Sequence, residues 1–372
     1  MAKTLREKIK KEILLLDGAF GTYIQELGLK KEDFKDNPGG MEYLSISSPQ
    51  LIKKIHCNYL EAGSDAVETN TFGGNILKLK EYGLQDKVYD LNFESARLAR
   101  SAADEFSING HSRYVVGTMG PTGKLPSSSD PDLGAITYKE LKSIYYDQAL
   151  GIIDGGADAL LIETGQDLLE MKAAVNGAKL AIANRGKDLV VMAQCTLANN
   201  GRMLLGSEIS AVTAVLSCVG VDAVGINCSS GPLEMEGAIE FLSKNCPVWV
   251  SVVPNAGLPV ESDGKAVYQL GSLEMSGIIE RFLEKYNIDI IGGCCGTTPG
   301  HIKEMRKVIK KKRVWKKSSN ILYSGFYSGF DFKEKKRPIL VGERINTQGS
   351  RKMKELLKDG DYDGIIELGK QQ

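Results

Sequence analysis

Eight short apolar runs recur along this chain, each ending in polar or glycine-rich residues: ILLLDGAF, DAVETNTF, YVVGTMGP, ALLIET, VVMAQCT, AVGINCS, VWVSVVPN and IIGGCCG. Such runs are too uniformly apolar to leave one face in water, so they read as strands covered on both sides. Between them lie segments with the spacing of amphipathic helices, such as PQLIKKIHCNYLEAG, YKELKSIYYDQALGIIDGG and DLLEMKAAVNGAKLAIAN. Several close on glycine just before the next strand, as in LEAGSDAVE, IIDGGADALLIE and SCVGVDAVGIN, where glycine can adopt the left-handed turn that ends a helix. Eight alternations of buried strand and helix predict an α/β fold, a closed (β/α)8 TIM barrel rather than an open doubly wound sheet.

The barrel is expected to occupy residues 1–310. Its first three strands start near residues 13, 66 and 114, so the early connections are long and carry extra loops over one face, TFGGN and GPTGKLPSSSDPDLGA among them. Beyond it, KKKRVWKKSSNILYSGFYSGFDFKEKKRP is basic at both ends and reads as a linker or wrapping arm over 311–337. The remainder, PILVGERINTQGSRKMKELLKDGDYDGIIELGKQQ over 338–372, reads as one strand and one helix, with room for a second strand. That is too little to fold alone and resembles the opening of another α/β domain.

Lys plus Arg and Asp plus Glu both number 47, so overall charge gives no reason to expect nucleic acid or an anionic membrane as partner. The basic N-terminus has an apolar run, ILLL, shorter than a signal sequence requires, and no other segment reaches membrane-spanning length. Seven cysteines, an odd number spread through a long chain, argue for reduced thiols in a cytoplasmic protein.

In a parallel barrel the active site lies at the C-terminal ends of the strands. Here those ends offer Asp17, Glu68, Thr69, Asn70, Glu163, Cys195, Cys228, Asn255, Cys294 and Cys295. Cys228 ends the sixth strand and Cys294 with Cys295 ends the eighth, one neighbour apart around the mouth, so three thiolates are expected to converge on one Zn2+ and leave a tetrahedral position for substrate. The glycines flanking the doublet would let the backbone turn sharply enough for adjacent residues to ligate one metal. Packed cysteines at a strand end are the plain alternative for the doublet alone. Asn255, on the intervening strand, is a candidate fourth ligand displaced by substrate, or else a turn residue in PNAG. Cys195 is a competitor from a more distant strand, whereas Cys57 and Cys218 read as core-facing helix residues and Cys246 as a loop thiol. None of the three histidines, His56, His111 and His301, ends a strand, which argues against a histidine-based triad.

Asp17 and Glu163 are carboxylates carried by apolar strands, where an unpaired charge is costly. They call for a substrate ammonium or for an internal Arg or Lys. Backbone amides after Asp17, at Gly18 and Ala19, would suit a substrate carboxylate. Together these groups would read an α-amino acid whose side chain points at zinc. A competing class, a phosphate-binding aldolase or isomerase barrel, would want a lysine at a strand end, and there is none. A third reading is a non-catalytic zinc-binding barrel.

NCSSG with a distant GGCCGTTPGHI, together with LDGAFGT, ETNTFGGN, GPTG, IETGQD and PNAG, resembles the homocysteine S-methyltransferase family over residues 10 to 310. The resemblance implies a (β/α)8 barrel in which Cys228, Cys294 and Cys295 bind zinc, zinc binds homocysteine thiolate, and Asp17 and Glu163 hold the ammonium. The tail RPILVGERINTQGSRK is similar to the start of the pterin-binding domain that follows this barrel in the cobalamin-dependent methionine synthases. That implies methylcobalamin, rather than betaine or S-methylmethionine, as methyl donor, bound by a cobalamin-binding domain or protein outside this chain. On the same basis the chain is expected to be an N-terminal fragment, or a short relative whose partner modules are separate chains.

Overall fold

The computed structural model describes residues 3–34, 40–108, 110–228, 230–262, 265–309, 318, 322–325, 327–331 and 345–371. The apolar runs become β1 (Leu14–Leu15), β2 (Ala66–Glu68), β3 (Tyr114–Met119), β4 (Ala159–Gly165), β5 (Val190–Cys195), β6 (Ala223–Asn227) and β7 (Trp249–Val253). A hairpin of β8 (Pro259–Ser262) and β9 (Lys265–Tyr268) intervenes before β10 (Ile290–Ile291), the eighth barrel strand. These eight strands form one parallel sheet in the order β1-β10-β7-β6-β5-β4-β3-β2, wrapped by helices, the expected (β/α)8 barrel.

Side chains alternate across each strand, as a pleated backbone requires. Leu14, Leu16, Val116, Leu161, Met192 and Ile290 fill the barrel, while Leu15, Val115, Leu160 and Val191 pack outward against the helices. Leu5 and Ile9 of helix Leu5–Lys11 join the inner cluster and cover its N-terminal end. Between β1 and β2 the join is made by single bonds: the Asp65 amide donates to Leu15 O (2.7 Å), and Asp17 Oδ2 accepts the Glu68 amide (3.0 Å).

At the N-terminal end, one device recurs at every second strand. Asp65, Asp158, Asp222 and Asp289 immediately precede β2, β4, β6 and β10. Each donates its amide to a carbonyl of the previous strand and accepts that same residue's amide on its carboxylate, pairing with Leu15, Val115, Val191 and Val250. Cations neutralise three of them. Lys8, Arg113 and Arg306 surround Asp65, Arg100 meets Asp158 (2.8 Å), and Arg6 meets Asp222.

In the C-terminal region the structure adds one element within the expected linker or wrapping arm and differs at one expected strand. Most of 311–337, read as a linker, lies outside the described residues, but β11 (Leu322–Ser324) and β12 (Gly329–Asp331) pair as an antiparallel hairpin. That hairpin is tied to the start of helix Ile209–Val219: the Glu208 amide donates to Tyr327 O (2.7 Å) and the Gly329 amide to Ser210 Oγ (2.8 Å). A second compact unit spans Lys333–Gln372. Its expected first strand, near residues 338–342, lies outside the described residues. The expected second strand is instead helix Tyr362–Lys370, which follows helix Arg351–Asp359. Gly360 takes a left-handed conformation to end the first helix, and Asp361 caps the next by accepting the Gly364 amide (2.8 Å); capping chemistry outweighs the β-branched content of GII. Among the described residues no helix is long and apolar enough to cross a membrane.

Candidate active site at the C-terminal mouth

The strand ends converge on a cavity of about 440 Å3 lined by Gly18, Ala19, Glu68, Glu163, Cys228, Cys294 and Cys295, with Phe20, Met41 and Phe72 supplying apolar wall. A larger space of about 660 Å3, between the Leu197–Arg202 loop and helix Glu236–Asn245, shares no residue with it and contains neither the thiols nor these acids. Chemistry, not size, selects the smaller cavity.

Cys228, Cys294 and Cys295 present sulfurs that all lie within 4.8 Å of one another. Two of the separations, Cys228 to Cys295 and Cys294 to Cys295, are 3.9 Å. Four sulfurs placed tetrahedrally around Zn2+ at ~2.3 Å would stand about 3.8 Å apart, so the spacing suits that ion; a disulfide would need ~2.05 Å. Backbone bonds lock the cluster in place. The Cys228 amide donates to Val253 O (3.2 Å), the Cys294 amide to Pro254 O (2.8 Å), and the Ala256 amide to Cys295 O (2.9 Å). Hydrogen bonds to Cys228 and Cys295 come first among the causes that hold Cys294 well above the usual thiol range, and the bond to Cys228, opposed by the one to Cys294, leads those that push Cys295 up to about 11. A bound dication would reverse that.

The expected sharp turn is distributed differently from the sequence reading. Gly292 and Gly293 have ordinary backbone angles; a Cβ on Gly293 would sit 2.3 Å from Thr297 Oγ1, so close approach is their use. Left-handed backbone falls at Gly296 (φ 77°) and at Cys228 itself (φ 60°), a conformation uncommon outside glycine. Gly296 also lies against the Tyr268 ring, whose phenol hydrogen-bonds Cys295. Tyr268 comes from the hairpin after β7 and has no sequence signal linking it to the doublet.

Asn255 is buried, and its Oδ1 has no hydrogen-bond partner. Asn255 follows β7 by two residues and is not among the residues that line the cavity. Cys195 is fully buried outside the thiol cluster, and burial pushes it up to about 12. Cys246 is buried, Cys57 packs against the core, and Cys218 is exposed rather than core-facing because it falls on the outer side of helix Ile209–Val219. His56 is wholly buried in helix Pro49–Ala62, and His301 bonds Thr298 and Leu270 O.

Two acids, Glu68 and Glu163, line the same cavity, and Asp17 lies buried beside Glu68, whose amide it accepts. Burial raises Asp17 well above the usual carboxylate range, with Glu163 adding repulsion; its Oδ1 has no partner. Glu68 is raised by burial, then by Glu163 and Asp17, and burial pushes Glu163 up to about 8 with Cys228 adding to it. Glu68 is thus a third acid of this group, one the sequence placed at a strand end without assigning it a role. No Lys or Arg forms an ion pair with any of the three among the described residues, so the internal-cation alternative loses its support. Ala19 fits less well than expected: its amide donates to Thr297 Oγ1 (3.0 Å), leaving Gly18 and the turn beyond it for a carboxylate. Asn227, absent from the sequence candidates, donates from Nδ2 to Glu163 Oε2 (3.0 Å).

Comparison with known proteins follows the same outline. Methionine synthases of Mycobacterium leprae (strain TN) and Mycobacterium tuberculosis (strain ATCC 25618 / H37Rv) are each 39% identical to the chain, over 375 and 370 residues. Those alignments take in 99% of this chain, which spans 31% of the length of each relative. Homocysteine methyltransferase MmuM from Escherichia coli, in its metallated crystal form, superposes with a TM-score of 0.65 at 22% identity, over 80% of this chain and 96% of that one. At that identity the likeness establishes the barrel fold. The model of the homocysteine S-methyltransferase family matches residues 14–309, the whole barrel with its strand-end cysteines and acids, and the chain belongs to that family.

Proposed function

We propose that this chain transfers a methyl group to the thiol of homocysteine, forming methionine, with zinc held by Cys228, Cys294 and Cys295. The observation that carries the reading is one cavity lined by three mutually close sulfurs and by Glu68 and Glu163, with Asp17 buried beside Glu68, and no ion pair to any of these acids among the described residues. Asp17 and Glu163 would receive the substrate ammonium, and the Gly18 backbone its carboxylate, which aims the thiol at the sulfur cluster. Zinc bound there would keep that thiol ionised at neutral pH, worth roughly 2 kcal/mol in reactive fraction for a thiol of pKa ~8.5. Ligand choice matters because nucleophilicity falls with pKa, with a Brønsted slope of roughly 0.4–0.5. Three anionic cysteines leave the substrate sulfur electron-rich, where neutral histidines would not.

The substrate sulfur lone pair forms the new S–C bond while the bond from the methyl carbon to its donor breaks, its electrons leaving with the donor. No general base is needed once the thiol has lost its proton. Asn255, with its orphan Oδ1, is proposed to fill the fourth ligand position until homocysteine displaces it. Methylcobalamin, presented by a module outside this chain, is the proposed donor on the strength of the tail RPILVGERINTQGSRK. Betaine and S-methylmethionine are the alternatives, separated by assaying turnover with each.

Metal analysis combined with zinc-edge absorption, with and without homocysteine, tests the reading. About one zinc per chain and one additional sulfur ligand on adding homocysteine are expected. Zinc without a change of ligands would leave a non-catalytic zinc-binding barrel, and absence of zinc would overturn the assignment of the cysteines.

A further inference from the structure

Asn227 is fully buried at the end of β6, immediately before Cys228. Its amide spans to β4 through three bonds. Oδ1 accepts the Thr164 amide (2.8 Å), and Nδ2 donates to Thr164 Oγ1 (2.9 Å) and to Glu163 Oε2 (3.0 Å). The partners fix the orientation of the amide, since an N–H faces Oδ1 and a carboxyl oxygen faces Nδ2. Thr164 has left-handed backbone (φ 56°), costly for a β-branched residue, at a bulge where the β4–β5 register shifts between Ile162 and Gly165. That bulge turns Glu163 into the cavity.

From this geometry we propose that Asn227 is a positioning residue that sets the distance between the ammonium-binding carboxylate and the sulfur cluster, and so the length of the amino-acid thiol accepted. The inference rests on the function proposed above. One side chain holds Glu163, while the residue attached to it in the chain is Cys228, so the two ends of the substrate site are tied together by a single peptide unit and one amide. With Oε2 committed to Asn227, Glu163 keeps its other oxygen for the substrate, at a place that cannot drift toward the thiols. A thiol one methylene shorter than homocysteine, such as cysteine, would then be unable to reach both ends at once. Neither the acids nor the cysteines alone supply that selection, because Glu163 could otherwise swing on its own side-chain torsions.

The test measures binding of homocysteine and of cysteine to the zinc-loaded chain by titration calorimetry, with zinc content and melting temperature recorded beside it. In Asn227→Ala, homocysteine should bind on the order of ten- to hundredfold more weakly at unchanged zinc content, and the preference over cysteine should shrink. Should that variant fail to fold, the change is repeated in a Thr164→Gly background, where glycine adopts the left-handed backbone without the clamp. A cycle with Glu163→Gln shows whether Asn227 acts through the carboxylate. The two effects should then be strongly non-additive, whereas a merely structural residue would give additive losses. Unchanged homocysteine affinity and unchanged discrimination in a folded, zinc-replete variant would overturn the proposal, as would additive losses. If the unaltered chain itself fails to bind homocysteine, the proposed function fails instead, and the variants are not needed to see it.

Discussion

The two ends of the barrel carry the same kind of residue and treat it in opposite ways. At the N-terminal end, four aspartates each clasp the backbone of the preceding strand, and Asp65 alone meets Lys8, Arg113 and Arg306. At the C-terminal end, Asp17, Glu68 and Glu163 lie close together, the last two lining the cavity, and repel one another. Burial raises Asp158 at the N-terminal end too, but there the Val115 amide and Arg100 offset it in part, whereas the acids at the other end add repulsion to burial and have no cation paired to them among the described residues. The lesson is that the lower face specifies the barrel and the upper face stores an unmet demand for positive charge, which a substrate ammonium and a metal ion can supply. Such concentrations of perturbed groups mark functional sites.

Removing a thiol should produce the largest effect. Cys294→Ser is expected to abolish zinc retention and turnover while circular dichroism shows an intact barrel; a variant that keeps full activity with methylcobalamin would break the assignment of the upper face. Next comes the lower face. Asp65→Ala leaves three cations facing a lost carboxylate and two strands unclasped, and should cost about 3–5 kcal/mol in denaturant unfolding. A loss below that seen for an ordinary surface change would show that the clasp does not carry the stability ascribed to it.

Asp17→Asn should behave in the opposite way. The metal-free chain should melt no earlier, or be more stable by about 1 kcal/mol, while homocysteine affinity falls on the order of tenfold or more. A large destabilisation would instead make Asp17 a seam residue first, through its bond to the Glu68 amide. The smallest effect is in pH. Glu163 is pushed up to about 8 in the fold, above its unfolded range near ~4.3. Between those values the folded state binds the extra proton, so the stability of the metal-free chain should fall as pH rises from about 5 through 8. Glu163→Gln should flatten that slope, as followed by melting temperature across the range. An unchanged slope would assign it to other groups.

Much of this was legible in the sequence because buried parallel strands and their helices have strong periodic signatures. The strand ends were legible too, since a barrel puts chemistry there whatever its loops contain. The lower clasps were visible only in part: SDAVE, ADALL and VDAVG repeat in the sequence, yet the glycines before them read as helix caps and the aspartates carried no evident partner. Tyr268 and Asn227 were not legible at all. One reaches Cys295 from an inserted hairpin and the other reaches Glu163 across the intervening β5, contacts between residues far apart in the chain. The C-terminal helix at Tyr362–Lys370 was misread because isoleucines favour a strand locally, whereas Gly360 and Asp361 set the backbone.

By itself the sequence determined the eightfold alternation, the placement of cysteines and acids at strand ends, and the family they resemble. These follow from periodicity and composition, which act through local backbone preference and burial. Only the tertiary structure decided that the three sulfurs stand within 4.8 Å of one another, that Ala19's amide is already taken, and that Asn227 links Glu163 to the cysteine wall. Closing the barrel brings together groups whose separation in sequence carries no information about their separation in space, and the energy of each contact depends on that distance, on orientation and on burial.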